Sequence, residues 1–135
     1  MFISLNIFDA ALERIVQSAE VQYVCSHEPT AFSELADFAL AGISIDASNF
    51  MGPLDGCVDC EVLSRMIVVL ATTGVGNRDG TVSHVALASE SELLFVVSGG
   101  SAEEITAGQP FVVRDWCIVA EYVEGGCEIP EGYLD

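Results

Sequence analysis

The sequence predicts a mainly β, α+β fold: an antiparallel β-sandwich or small barrel with an N-terminal amphipathic helix and a second short helix. Three observations predict it. Valine, isoleucine and phenylalanine recur in short runs of strand length, above all in the second half of the chain. Clusters of Gly, Pro, Asn, Asp and Ser separate those runs, and these are the residues that tight turns require. Helical apolar spacing is sustained only near the N-terminus.

At 135 residues the chain has the length of one domain with a core of its own. It divides into an N-terminal arm and helix (1–19), a strand, short helix and long loop (20–60), a β-sandwich core (61–123) and an acidic tail (124–135). The helix is expected over residues 6–18, where Phe8, Ala11, Leu12, Ile15 and Ala19 share a face, with Asn6 as N-cap. Glu20 to Cys25 alternates around Val21, Tyr23 and Cys25 and reads as a strand. Ser26 to Thr30 breaks it. Phe32, Leu35 and Phe38 then indicate a short helix stopped by Gly42. Ile43 to Ile45 is a short strand, and Asn49, Gly52-Pro53 and Asp55-Gly56 mark a long loop after it. Five strands are expected beyond: 61–72, 81–88, 92–98, 103–106 and 111–122. Gly74 to Gly80 reads as the hairpin loop between the first two, and Ser89 to Ser91, Gly99-Gly100 and Ala107 to Pro110 as the later turns.

Two of these strands are apolar on both faces, around Met66 to Leu70 and Trp116 to Ala120. Such a strand must be covered on both sides. One face can meet the domain's own core; the other needs the N-terminal helix or a neighbouring subunit.

Charge narrows the partners. Twenty-one acidic residues stand against four arginines (Arg14, Arg65, Arg78, Arg114) and no lysine, a formal charge of -17. Phosphate backbones and anionic membrane surfaces bind through clustered cations, so no nucleic acid and no membrane is expected as partner. The longest apolar run, Met66 to Thr72, is far short of the roughly 20 residues of a membrane helix. Met1 to Asp9 is hydrophobic but has neither basic residues nor a small-residue cleavage site, so a cytosolic folding compartment is expected. The acidity reads first as a solvated, self-repelling surface, and second as one that seeks a basic partner.

No constellation nominates catalytic, cofactor or metal residues. Cys57 and Cys60 have the spacing of a redox or metal pair, yet Cys117 and Cys127 do not supply a second half and His27 and His84 fit no ligand spacing. The five cysteines read as reduced thiols. Asp55, Asp59 and Glu61 are acidic neighbours without the spacing of a calcium loop. Gly74, Gly76 and Gly80 have no lysine and no following helix to cradle a phosphate. Ser83 and His84 are adjacent in an expected strand, so their side chains should point to opposite faces, with His84 beside Val82, Ala86 and Ala88.

The ordered set Thr81 to Leu87, Glu92-Leu93-Leu94, Ile105 to Gly108, Phe111 and Asp115 to Ile118 resembles small virion structural proteins of tailed bacteriophages. So does the start, an "AL" helix and a strand before Cys25-Ser26, Glu28-Pro29-Thr30 and a short helix. The likeness runs from about Ala10 to Val123 and does not extend to the cysteines. It implies a β-rich particle component: a capsid decoration (cement) protein, a neck or connector part, or a tail or fibre part. Surplus negative charge disfavours facing packaged DNA, so the expectation is the outer surface of the head, assembled in the host cytoplasm. The partners would be the major capsid protein or other virion proteins. A homo-oligomer, as a trimer in many cement proteins, is implied as well. Met1 to Phe8, with Phe2, Ile3, Leu5, Ile7 and Phe8, is the candidate docking arm.

Overall fold

A computed structural model describes residues 4–56, 64–99 and 103–121. The chain is mainly β and all its strand pairs are antiparallel, with one long N-terminal helix and one short helix. Helix α1 spans Leu5–Ser18. It starts earlier than the spacing suggests, because Ser4 and not Asn6 is the cap: the Ser4 hydroxyl accepts from the Asn6 backbone N–H at 3.2 Å. Leu12 and the following Ala19 are buried, with Ile15 and Val16 packed beside them, whereas Ala11 faces water.

Strand β1 (Val21–Cys25) lies between β2 (Ala39–Ser44) and β7 (His84–Ala88), and β8 (Leu93–Ser98) completes a four-stranded sheet in the order β2-β1-β7-β8. Helix α2 (Leu35–Phe38), entered through a 3₁₀ turn at Phe32–Glu34, runs directly into β2. Gly42 is therefore not a helix stop. It lies inside β2 opposite Tyr23, whose ring would crowd an added Cβ at 3.1 Å.

The expected long loop contains a further strand. A 3₁₀ turn at Ala47–Asn49 carries a capping box on Asp46 and leads into β3 (Phe50–Asp55). Gly52 and Pro53 do not end this strand; they form an irregularity between Met51 and Leu54, tolerated because β3 is the edge of its sheet. Gly52 sits at φ 114, where a side chain would strike the Met66 carbonyl oxygen at 2.8 Å.

Two of the expected long strands are each two strands. β4 (Ser64–Val69) gives way to β5 (Thr72–Val75), and β10 (Pro110–Val113) to β11 (Trp116–Glu121). Both breaks fall at the same level, since Trp116 pairs with Val69 and Val113 with Thr72. The ribbon thus turns a corner as a unit, and β11-β4-β3 and β10-β5 are separate sheets. Residues 81–88 also divide, into β6 (Gly80–Thr81) and β7, and β6 pairs with β9 (Glu104–Ile105). The glycine-rich segment between β5 and β6 is not a hairpin loop, because β5 pairs with β10 and not with β6.

The four-stranded sheet is covered on both faces. Cys25, Ala86 and Ala88 pack with Leu35 of α2 on one side. On the other, Leu87 shares a cluster with Leu12 of α1, Phe50, Ile67, Val69 and Ile118, and Val24 and Val85 share one with Val82, Ile105 and Phe111. β1 presents Gln22 and Val24 to this interior, the alternate set from the one its apolar pattern suggested.

Candidate protein-binding surface

The sheet β11-β4-β3 alternates strictly. Trp116, Ile118 and Ala120, with Ile67, Val69 and Phe50, point into the core. Helix α1 packs on this same side, against β4, β11 and β3. Among the described residues nothing packs on the opposite face. Register places Cys117, Val68 and Met51 in one cross-strand row and Val119, Met66 and Leu54 in the next. Met51 and Val119 are about half exposed (48% and 49%), Leu54 is 37% exposed and Cys117 is open to solvent. These two rows hold no charged residue, and Glu121 and Ser64 close them at one end. Past the corner, Val112 and Val75 continue the exposed apolar strip. A contiguous apolar patch marks an interaction site more often than a lone exposed Leu does.

Side-chain bonds tie the sheet that carries the patch to α1. Arg65, next in β4 but pointing inward, donates through Nε to Asp9 of α1 and through Nη1 to Asp55 of β3, both at 2.8 Å, and through Nη2 to the Pro53 carbonyl at 3.3 Å. Its hydrogen bonds to Asp9 and then to Asp55 hold the guanidinium pKa above its ordinary value, so this arginine stays charged and fixed. It links helix, edge strand and central strand.

A buried polar bridge joins the two sides of the core. Gln22 of β1 is fully buried; its Nε2 donates to Thr72 Oγ1 at 2.8 Å, and its Oε1 accepts from Trp116 Nε1 at 2.9 Å. Gln22 thereby ties the four-stranded sheet to β5 and β11 just where the ribbon bends. Sequence patterning did not single it out, because a glutamine within an alternating strand reads as a solvent position.

Leu5, Ile7 and Phe8 of the candidate docking arm form the start of α1 and are not an extended arm. Leu5 and Phe8 are half-buried and Ile7 is 59% exposed. Phe2 and Ile3 lie outside the described residues, as do Cys57, Cys60, Asp59, Glu61, Cys127 and the tail. Among the described residues no cluster of three metal-ligating side chains occurs.

Ser83 and His84 are in contact, contrary to the expectation from strand alternation. Ser83 falls in the break between β6 and β7, and its hydroxyl lies 2.8 Å from His84 Nδ1, with Cys25 O at 3.4 Å. His84 Nε2 is 3.9 Å from a Glu28 carboxylate oxygen. The break also sends Val82 into a different cluster from Ala86 and Ala88. The contact joins adjacent residues at a strand junction, where the Ser83 backbone N–H also bonds Cys25 O at 2.8 Å. A cavity of about 640 Å³ nearby is lined by Val24, Val85, Val97, Phe111 and Trp116, with Glu103, Arg114 and Asp115 exposed at its lining, and includes neither Ser83 nor His84.

Fold and surface together define an acidic, mainly β module whose second sheet has one apolar face that no described residue covers. Comparison of the chain with protein-family models, with curated protein sequences and with solved structures finds no match.

Proposed function

We propose that the protein is a structural, protein-binding component of a tailed-bacteriophage particle, an outer capsid decoration protein that seats the free face of β11-β4-β3 on the head shell. The observation that carries the binding part is the uncharged patch of Met51, Leu54, Met66, Val68, Cys117 and Val119 on a chain of charge -17. Burying it against a partner would gain roughly 25 cal/mol for each Å² removed from water.

The virion part rests on the resemblance of the C-terminal strands and turns. The exterior position is supported by how the arginines are used. Arg65 is held by Asp9 and Asp55, Arg78 by backbone carbonyls, and Arg14 by Ser18 and Glu92. Arg114, the fourth, is exposed, and one such cation makes no basic patch for DNA. The complementary partner surface is apolar with a basic rim, as a capsid subunit or another virion protein could present.

The test uses particles from which the gene has been deleted. Deletion should lower their resistance to heat and osmotic shock, and the added full-length chain should restore it. Val119→Asp and Met51→Glu should fold normally and fail to restore it. Unchanged resistance on deletion, or recovery of the protein in tail fractions alone, would overturn the head-surface reading; the latter result would move it to the neck or tail.

A further inference from the structure

The two edges of the four-stranded sheet are treated differently by the fold. Along β2, the Leu40 carbonyl accepts from the backbone N–H groups of Asn77 and Arg78 at 2.9 and 3.1 Å. The Arg78 guanidinium donates to the carbonyls of Ala39 and Ala36, each at 2.7 Å. One arginine and its loop thus seal the Ala39–Leu40 end of that edge. Along β8 the outward backbone groups of Leu93 to Ser98 bond no described residue, since β7 is the strand's one neighbour among the described strands.

Native proteins blunt an open edge with charge, proline, a bulge or a cover, because a bare row of N–H and C=O groups is a template for another strand. β8 reads Leu93-Leu94-Phe95-Val96-Val97-Ser98, without a charge, a proline or a glycine; its register with β7 shifts at Leu94, a bulge confined to the start of the strand, and Phe95 to Ser98 pair regularly. Its five apolar side chains are all half-buried. A chain with 21 acidic residues places none on this edge.

We propose that β8 pairs antiparallel with β8 of a second copy across a two-fold axis, joining two four-stranded sheets into one continuous sheet. The charges beside the strand favour a second copy in this orientation. Glu92 directly precedes β8, is exposed, and lies 3.6 Å from Arg14. In an antiparallel pair of the regular stretch Phe95 faces Ser98 of the other copy, so the two Glu92 carboxylates stand at opposite ends, roughly 30 Å apart. Parallel addition would set Glu90 and Glu92 against their twins. The uncharged edge is also where two strongly acidic copies approach at least electrostatic cost, and an isologous two-fold contact closes on itself without forming a fibre. The pair uses a different surface from the free face of β11-β4-β3 and does not depend on the virion reading.

Sedimentation velocity of the full-length chain, from low-micromolar to sub-millimolar concentration, should show a monomer–dimer equilibrium that tightens with added salt as repulsion between copies is screened. Hydrogen exchange supplies the site. Alternate amides of Phe95 to Ser98, those aimed away from β7, should exchange slowly in the dimer and quickly on dilution. Of Val96→Pro and Val97→Pro, the one that removes an outward N–H should keep a native circular-dichroism spectrum and run at monomer mass at every concentration. Val119→Asp should leave the dimer intact. A chain that stays monomeric throughout overturns the proposal, as does a dimer that Val119→Asp dissolves. Slow exchange of the outward amides in the monomer overturns it too, because the chain itself would then cover the edge. A parent chain that dimerises and does not bind particles would count against the virion reading alone.

Discussion

Replacing Gln22 by leucine tests how the two halves of the core are joined. The side chain is fully buried, and both ends of its amide are used, one on Thr72 Oγ1 and one on Trp116 Nε1. Leucine has nearly the same volume and so opens no cavity, but it leaves an indole N–H and a threonine hydroxyl without their partner. Each orphaned group costs about 1–3 kcal/mol when water cannot reach it. Trp116 is only half-buried, so hydration recovers part of its share, and the greater hydrophobicity of leucine offsets a little more. The expected net loss is about 2–3 kcal/mol, which for a domain of this size lowers the melting temperature by about 10 °C. Urea unfolding and calorimetry measure the loss. Fluorescence locates it, because Trp116 is the only tryptophan and its emission should report the lost hydrogen bond. Adding Thr72→Val should recover about 1 kcal/mol by removing one of the two orphans. A Gln22→Leu protein as stable as the parent, with unchanged emission, would refute the account of a bridge that stabilises the bend.

The Arg65 hub predicts that Arg65→Met, which keeps the apolar stem, frees α1 from β3 and β4; limited proteolysis should then cut within residues 5–18 faster than in the parent, and Asp9→Asn should do the same more weakly. Among the described thiols, burial pushes Cys25 up to about 11, so at pH 8 iodoacetamide should label the exposed Cys117 and spare Cys25 until the protein unfolds, as mapped by mass spectrometry. Hydrogen bonds from the Thr30 hydroxyl and backbone hold Glu34 below its ordinary value, and those from Ser48 do so for Asp46. A carboxylate depressed in the folded state stabilises it above the unfolded value of about 4 and ceases to do so as pH falls through the lower folded value. Thr30→Ala and Ser48→Ala should therefore lower stability at neutral pH and reduce the steepness of its decline in acid, read from melting temperatures between pH 7 and pH 2.

Some of this structure was written in local pattern. The apolar spacing of Leu12, Ile15 and Ala19 specified a helix because one face of a 3.6-residue period was apolar and the other was not. The β7-β8 hairpin was equally local, with Ser89 N–H bonding Glu92 O at 2.9 Å across the turn between them. Other readings failed where one local signal has two meanings. Gly52-Pro53 is a loop signal, but at the edge of a sheet proline removes no needed donor, and β3 runs through it. Gly42 suits a helix stop and equally the close approach of Tyr23 in a strand. Ser83 and His84 were assigned to opposite faces on the assumption of an unbroken strand; the β6–β7 junction removes that assumption.

By itself the sequence determined the class of fold, the reach of α1 to within a residue or so, and the sign of the surface, because periodicity, turn chemistry and charge are properties of neighbours along the chain. It also carried the fact that β4 and β11 are apolar on both faces. Only the tertiary structure decided which of those faces meets the core. α1 packs on the inner side, beside Ile67 and Ile118, and on the other side Met51, Leu54 and Val119 are covered by no described residue. The bend that divides β4 from β5, the burial of Gln22 and the contrast between β2, sealed at one end, and an open β8 were decided at the same level. Each depends on which strand lies beside which, and strand order joins residues as distant as Gln22 and Trp116, whose relation no local window of sequence contains.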